Sequence, residues 1–167
     1  MQMSMYQASI PVMIRALESL SRILDKAAAY AEERKIDPLV LTSGRLFPDM
    51  LPFTRQIYIA TDNAKGCAAR LRGVEPPKYE DVEQTIPELQ ARIAKTVAYL
   101  QACKPEEIDG SEDRPIELKF PSRTLNFTGL TYLQNHLLPN FFFHVTTAYN
   151  ILRHNGVVLG KRDYLGG

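Results

Sequence analysis

Four stretches of the chain carry apolar residues at intervals of three and four, the spacing that places one apolar stripe along an α-helix. Polar residues fill the other positions, so each helix is expected to bury one face. The predicted helices run from near Ser9 to near Lys35, from Asp49 to Gly73, from Thr85 to near Cys103, and from Thr128 to Asn155. We therefore predict an all-α fold, a four-helix bundle that forms a single domain over residues 1–167.

The ends of these helices carry recognisable capping residues. Thr85 and Glu88 form a capping box, with Pro87 in the first turn of the third helix. Gly73 and Gly156 suit the left-handed residue that follows the last turn of a helix. These residues predict where the second, third and fourth helices begin or end.

The segment between the second and third helices, GVEPPKYEDVEQ, reads as an extended connector because it contains two adjacent prolines. About 12 residues at roughly 3.3 Å each span about 40 Å. A helix of about 20 residues is only about 30 Å long. The connector is therefore long enough to cross over the bundle, and the second and third helices can lie parallel.

The periodicity changes from helical to alternating before the fourth helix. Apolar and polar residues alternate from Ile116 to Phe120 and again from Thr124 to Phe127. This alternation predicts a small β-hairpin that packs on the bundle. The inward-facing side chains are expected to be those of Ile116, Leu118, Phe120, Leu125 and Phe127.

The fourth helix contains all three histidines of the chain and an interior proline. Pro139 donates no hydrogen bond and leaves the carbonyl of Asn135 without its partner, so we expect a kink there. Asn140 and His144 are four residues apart and share one face of the helix beyond the kink. His136 lies one turn before Asn140 and is rotated from it by only about 40°.

These side chains define a candidate pocket, since ligands favour clefts between bundle helices and a kink opens space. Its predicted residues are His144, Asn140 and His136 on the fourth helix, with Arg55 and Asp49 on the second. A competing interpretation makes Arg55 and Asp62 an exposed ion pair that contributes little.

A metal site is the alternative to a pocket without metal. His144 would bind the ion, with His136 and a carboxylate such as Asp49 or Asp62. Zinc and related ions need at least three good protein ligands, and Asn140 offers only a neutral amide where a second histidine would stand. The competing interpretation is a core histidine that bonds to a neighbouring polar group. The cofactor therefore stays open between none and a divalent metal such as Zn or Ni.

Composition excludes several classes of partner. With 20 Lys and Arg against 19 Asp and Glu, the formal charge of +1 gives no reason to expect nucleic acid or an acidic membrane as a partner. No apolar run has the length of a membrane span, and the N-terminal segment lacks a signal-peptide pattern.

Cys67 and Cys103 are interpreted as reduced, unreactive thiols, which favours a cytoplasmic protein. No phosphate-binding glycine loop, nucleophile elbow, H-E-x-x-H or C-x-x-C motif is present.

The three consecutive phenylalanines Phe141–Phe143 cover about 200° of helix, at about 100° per residue. Such a width has to be buried on more than one side. Either the fourth helix is central or part of it meets another subunit, and we predict a homodimer.

The last helix resembles that of the DinB/YfiT-like superfamily. Over nearly its whole length, the sequence resembles an uncharacterised (DUF) family within that superfamily. Members commonly carry His-x-x-x-His, then a helix-ending Gly twelve residues after the second His, with Leu-Arg just before it. The same frame here reads Asn140-Phe-Phe-Phe-His144, followed by Leu152-Arg153-His154-Asn155-Gly156.

The resemblance implies a four-helix bundle with a long crossover between the second and third helices. It also implies a pocket where metal-binding members hold a divalent ion with three histidines; some of those members are thiol-dependent transferases, and members are often dimers. Asn140 replaces one ligand, and the second helix contains no histidine, so only His144 carries over.

We therefore expect a bundle that binds an unknown small molecule or a protein partner without metal. The alternative is a metal-dependent hydrolase or thiol transferase that uses His144, carboxylate ligands and water. Whether the protein is an enzyme stays open.

Overall fold

Helices make up most of the computed structural model, which describes residues 3–167. A two-stranded antiparallel sheet completes it. In chain order the elements are α1 (Met5–Arg34), α2 (Pro38–Thr42), α3 (Phe53–Arg72), α4 (Ile86–Gln101), α5 (Pro105–Ile108), β1 (Pro115–Phe120), β2 (Arg123–Thr128), α6 (Gly129–Tyr132), a π-helical segment (Leu133–Leu137), α7 (Leu138–His154) and α8 (Lys161–Leu165). The predicted helical fold with a small hairpin is confirmed.

The four long helices share one apolar interior. Helix α3 packs against α7 and α4, and α1 packs against α4, α7 and α3. Fully buried side chains from all four helices meet there, among them Leu17, Leu24, Phe53, Ile57, Leu89, Phe141 and Leu152. None of the helices within residues 3–167 combines the length and hydrophobicity that crossing a bilayer requires.

Helix α1 begins earlier than the predicted start at Ser9. The Ser4 hydroxyl accepts from the backbone N–H of Gln7 at 3.2 Å, and the Gln7 side chain accepts from the N–H of Ser4. This capping box starts the helix at Met5, so Pro11 lies inside the helix.

The predicted ends of the second and third long helices are correct at three of four positions. Gly73 ends α3 with φ 75°, and its N–H donates to a carbonyl of the last turn. The capping box of Thr85 and Glu88 starts α4, which ends at Gln101. Asp49, however, lies in an exposed turn, and Pro52 takes the cap position of α3.

The predicted hairpin forms, with Leu118 opposite Leu125. Phe120 was expected to face inward, but 43% of it is exposed. It lies in the last pair before the turn, where the guanidinium of Arg123 covers its ring at 5.9 Å. The other predicted inward residues are buried or half-buried: Ile116, Leu118, Leu125 and Phe127.

A π-helical segment lies just before Pro139, where the sequence predicts a kink. Thr128 caps the start of α6, where its hydroxyl accepts from the N–H of Thr131 at 3.3 Å. The helix then widens over Leu133–Leu137, and the N–H of Leu138 donates to the carbonyl of Leu133. Pro139 follows directly and has no N–H to donate, so the wider turns lie where the α-helical pattern would be interrupted.

The C-terminal segment packs on α1 and α7. Val157 and Leu159 are buried, and the Tyr164 hydroxyl bonds to the Thr146 hydroxyl at 2.9 Å. Within the phenylalanine run, Phe141 is fully buried, whereas 55% of Phe143 is exposed. The homodimer stays a prediction.

Candidate functional site

His144 lies between α7 and α3, with 8% of the residue exposed. Its Nδ1 is 2.7 Å from Oε1 of the buried Gln56. The Gln56 amide nitrogen donates to the carbonyl of Leu51 at 2.8 Å. Because a carbonyl can only accept, this contact fixes the orientation of the Gln56 amide and requires the His144 Nδ1 to carry the hydrogen. Burial lowers the pKa of His144, so the ring is neutral at neutral pH.

A second pair of side chains joins the same two helices, one turn from His144 on α7 and two turns from Gln56 on α3. The Asn140 amide donates to Oδ1 of Asn63 at 3.2 Å. The Asn63 amide nitrogen is buried and has no hydrogen-bond partner among the described residues. Two hydrogen bonds therefore connect α3 and α7 through Asn140 and His144, which occupy the His-x-x-x-His frame of the resemblance.

A cavity of about 310 Å³ lies beside the Asn140–Asn63 pair, between α3, strand β1 and the helix that contains the π-helical segment. Ile59, Leu118 and Phe120 form its apolar wall. Its polar wall is formed by Asn63, Arg70, Lys119, Tyr132, His136 and Asn140.

The two carboxylates that line the cavity are already paired. Asp62 lies 2.9 Å from the Lys65 ammonium and 3.0 Å from the Arg92 guanidinium. Glu117 lies 2.8 Å from the ammonium of Lys119. Each carboxylate therefore has a neighbouring cation that reduces its repulsion of an anion in the cavity.

Arg70 differs from these groups, because no carboxylate within residues 3–167 forms an ion pair with it. Its Nη1 donates to the hydroxyl of Tyr132 at 3.2 Å, and its guanidinium lies 5.9 Å from the centre of that ring. Burial raises the pKa of Tyr132, so the phenol keeps its hydrogen.

His136 is half-buried beside the same tyrosine. Its ring centre lies 6.0 Å from that of Tyr132, in a stacked arrangement, and 5.4 Å from that of Phe127. Burial lowers the pKa of His136, and the charges of Arg70 and Arg123 lower it further. A neutral imidazole therefore faces the cavity at neutral pH.

The fold brings only two of the five predicted pocket residues to the cavity wall. His136 and Asn140 line the cavity, whereas His144 lies deeper, bonded to Gln56. Asp49 lies in an exposed turn away from the cavity wall. Arg55 pairs with Asp81 of the connector at 2.6 Å, so the alternative pairing with Asp62 is wrong.

Sequence analysis missed Arg70, Tyr132 and the contribution of β1. One available signal was the spacing of seven residues that separates Gln56, Asn63 and Arg70 on α3. Residues seven apart share one side of a helix, and all three face α7 or the adjoining cavity.

The donor set does not fit a transition metal. The Nδ1 hydrogen bond leaves the other ring nitrogen of His144 free, so this histidine can supply at most one ligand. Its neighbours Asn140 and Asn63 offer only neutral amides, which are poor ligands for such ions. The part of the chain that the structure describes contains no group of three or more His, Cys, Asp or Glu side chains that could hold an ion.

The two thiols are buried and poorly suited to act as nucleophiles. Burial raises the pKa of Cys67 and of Cys103, although the guanidinium of Arg72 lies 3.8 Å from the Cys103 sulfur. The reactive species is the thiolate, so both side chains are expected to be inert.

A buried arginine holds the connector against α3 and α4. The Arg92 side chain is only 1% exposed, and its guanidinium lies 4.6 Å from the centre of the Tyr58 ring. Its hydrogen-bond acceptors come from α3 and the connector: Thr61 at 2.8 Å, Asp62 at 3.0 Å, the Glu80 carbonyl at 2.8 Å, Asp81 at 3.1 Å and Glu83 at 3.1 Å. The same cluster therefore positions Asp62 at the cavity wall.

Comparison with known proteins supports the resemblance. A family described as "Domain of unknown function (DUF1993)" matches residues 5–165. The crystal structure of a DinB family member protein from Shewanella denitrificans is 40% identical, covers 97% of this chain and 92% of its own, and has a TM-score of 0.87. No curated protein matches the chain.

Proposed function

We propose that this chain, which belongs to the DUF1993 family of domains of unknown function in the DinB-like superfamily, binds a small molecule without a metal. The binding site is the cavity beside Asn140. The observation that carries this proposal is the Asn140–Asn63 hydrogen bond at the cavity wall, since Asn140 stands where the resemblance implies a histidine ligand.

The cavity has the features of a small-ligand site. Its volume of about 310 Å³ lies at the lower end of the range of about 300–1,000 Å³ found for such sites. It combines an apolar wall with a few polar groups that can orient a ligand, including Asn140 and His136. The π-helical segment that contains His136 supports the proposal, because such segments are frequent at functional sites.

We also propose a domain organisation and a topology for the helices. Residues 1–167 would form one domain, a four-helix bundle in which residues 74–85 cross over between α3 and α4. The interval without helix or strand between Arg72 and Ile86 supports this topology.

Metal content tests the proposal against the hydrolase or transferase alternative. Protein purified without chelator is expected to contain far less than one transition-metal ion per chain. A stoichiometric, tightly held ion that is lost in His144→Ala would contradict the proposal and favour the alternative.

Ligand binding is tested by amide NMR of the full chain with a library of small organic molecules. Binders are expected to shift the amides of residues 63–70 and 136–140. The variant Asn140→Phe, which fills the cavity, should abolish these shifts. Asn150→Phe, at an exposed position of the same helix, should preserve them. A library without any binder at these amides would contradict the proposal.

A further inference from the structure

Arg70 brings an uncompensated positive charge to the cavity. The other cation of the wall, Lys119, is paired with Glu117 at 2.8 Å, whereas Arg70 has no carboxylate partner in the described part of the chain. Its contact with Tyr132 occupies one N–H group of a guanidinium that carries five. The remaining donors are available to a ligand.

Gly66 allows the Arg70 guanidinium to lie against its own helix. The glycine is buried in the middle of α3, where glycine is disfavoured relative to alanine. A Cβ at position 66 would overlap Nη1 of Arg70. The position of the guanidinium therefore depends on having no side chain at residue 66, one turn earlier in the helix.

Two other groups of the cavity wall have a hydrogen left to donate. Asn63 has a buried amide nitrogen without an acceptor in residues 3–167, and it lines the same cavity. The Tyr132 hydroxyl accepts from Arg70, so its own hydrogen remains free to donate. A carboxylate supplies only acceptors, and its two oxygens match the planar donor pair of a guanidinium.

We propose that the ligand of this cavity is a small organic molecule with a carboxylate that Arg70 binds. This inference rests on the proposed function and adds the chemical class of the ligand. The apolar part of the molecule would lie against Ile59, Leu118 and Phe120, which form the opposite wall. Arginine suits this role better than lysine, because its planar group binds a carboxylate through two parallel hydrogen bonds.

Benzoate and benzamide test the inference, because they share a planar apolar ring and differ in the charge of the polar group. Each is titrated into the full chain and followed by amide NMR. Benzoate is expected to shift amides of residues 63–70, 117–120 and 136–140, and to bind at least about tenfold more tightly than benzamide, a difference of about 1.4 kcal/mol.

Three variants separate the Arg70 contact from general charge effects. Arg70→Gln is expected to reduce benzoate affinity to that of benzamide, while benzamide binding changes little. Arg153→Gln removes the same charge at an exposed position of α7 outside the cavity wall, and should leave benzoate binding unchanged. Gly66→Ala should weaken benzoate binding without lowering the melting temperature, because the new methyl group displaces the guanidinium.

The outcomes distinguish this inference from the proposed function. Equal affinity for both probes, or unchanged benzoate binding in Arg70→Gln, overturns the carboxylate assignment and leaves a small-ligand cavity. Benzoate shifts confined to Gly73, Val74 and Arg114, which line a separate depression beside Arg70, also overturn it. If neither probe binds with a Kd below about 10 mM, the carboxylate assignment fails, and the library and metal measurements decide the proposed function independently.

Discussion

The imidazole of His144 and the amide of Gln56 form a 2.7 Å hydrogen bond between α7 and α3. The Leu51 carbonyl determines which of the two side chains donates. The Gln56 amide nitrogen donates to that carbonyl, so its oxygen accepts from the histidine Nδ1. The contact requires a hydrogen on Nδ1, and burial, which lowers the pKa of His144, favours the neutral ring. The hydrogen bond connects two helices and leaves the lone pair on the other ring nitrogen of His144.

The first prediction concerns the energy of this contact. His144→Leu leaves the buried oxygen of Gln56 without a donor, and Gln56→Leu leaves the histidine N–H without an acceptor. Each variant should lose about 1–3 kcal/mol of the free energy of unfolding, because an unmet buried polar group costs about that much. Urea unfolding measures the loss.

The double variant should lose less than the sum of the two single losses, since it leaves no unmet partner of this bond. Asn150→Leu is the control, because this exposed residue should change stability by less than about 0.5 kcal/mol. Fully additive losses would show that the two side chains do not interact.

The second prediction concerns pH. Because burial lowers the pKa of His144 in the folded chain, the unfolded chain binds the proton more readily. The contribution of this group to stability is therefore complete above its unfolded value of about 6.5. It declines as the pH falls from there toward the lowered folded value.

Melting temperatures at pH 7.5 and at pH 5.5 are expected to differ less in His144→Gln than in the parent chain. The pKa values of Glu88 and Asp163 are also lowered by hydrogen bonds, but these carboxyl groups lose their contributions at a lower pH. An unchanged pH dependence in the variant would contradict a neutral, buried His144.

The third prediction concerns His136. Burial is the largest cause of its lowered pKa, and the Arg70 charge adds to it. Arg70→Gln should therefore raise the pKa of His136 and still leave it below the ordinary histidine value. NMR titration of the imidazole measures this shift, with Arg153→Gln as the control that should leave it unchanged. A pKa that falls or does not move in Arg70→Gln would place the guanidinium away from His136.

The fourth prediction concerns Arg92. Arg92→Met removes the only cation that bonds to Asp62, Asp81 and Glu83 together among the described residues. We expect a loss of about 3 kcal/mol in the free energy of unfolding, at the lower end for a broken buried pair, because Asp62 and Asp81 are partly exposed. Amide hydrogen exchange of residues 74–85 should accelerate, since the connector loses one of its attachments and keeps the Arg55–Asp81 pair.

Lys95→Met provides the matched control. The Lys95 ammonium lies 4.2 Å from the centre of the Tyr79 ring and is exposed, so its loss should cost less than about 1 kcal/mol. Equal effects of the two substitutions would show that Arg92 has no special role in holding the connector.

Asp49 and Phe120 do not take the positions that the sequence predicted for them. Asp49 is a good capping residue, yet Pro52 takes the cap position of α3, because the N–H of the next residue donates to the carbonyl of Gly44. Phe120 follows the alternation of β1, but it lies beside the turn, where 43% of it remains exposed. The first outcome depends on a contact nine residues back along the chain, and the second on the position of Phe120 beside the turn.

The sequence by itself determined the long helices, the capping box at Thr85, the stop at Gly73 and the alternating hairpin, because these depend on residues within one or two turns of each other. The tertiary structure alone decided that His144 bonds to Gln56, 88 positions away. It also decided that Arg70 faces a cavity shared with β1. The physical reason is that a side chain's partner is set by which helices pack together, and packing brings together residues that are distant in the chain.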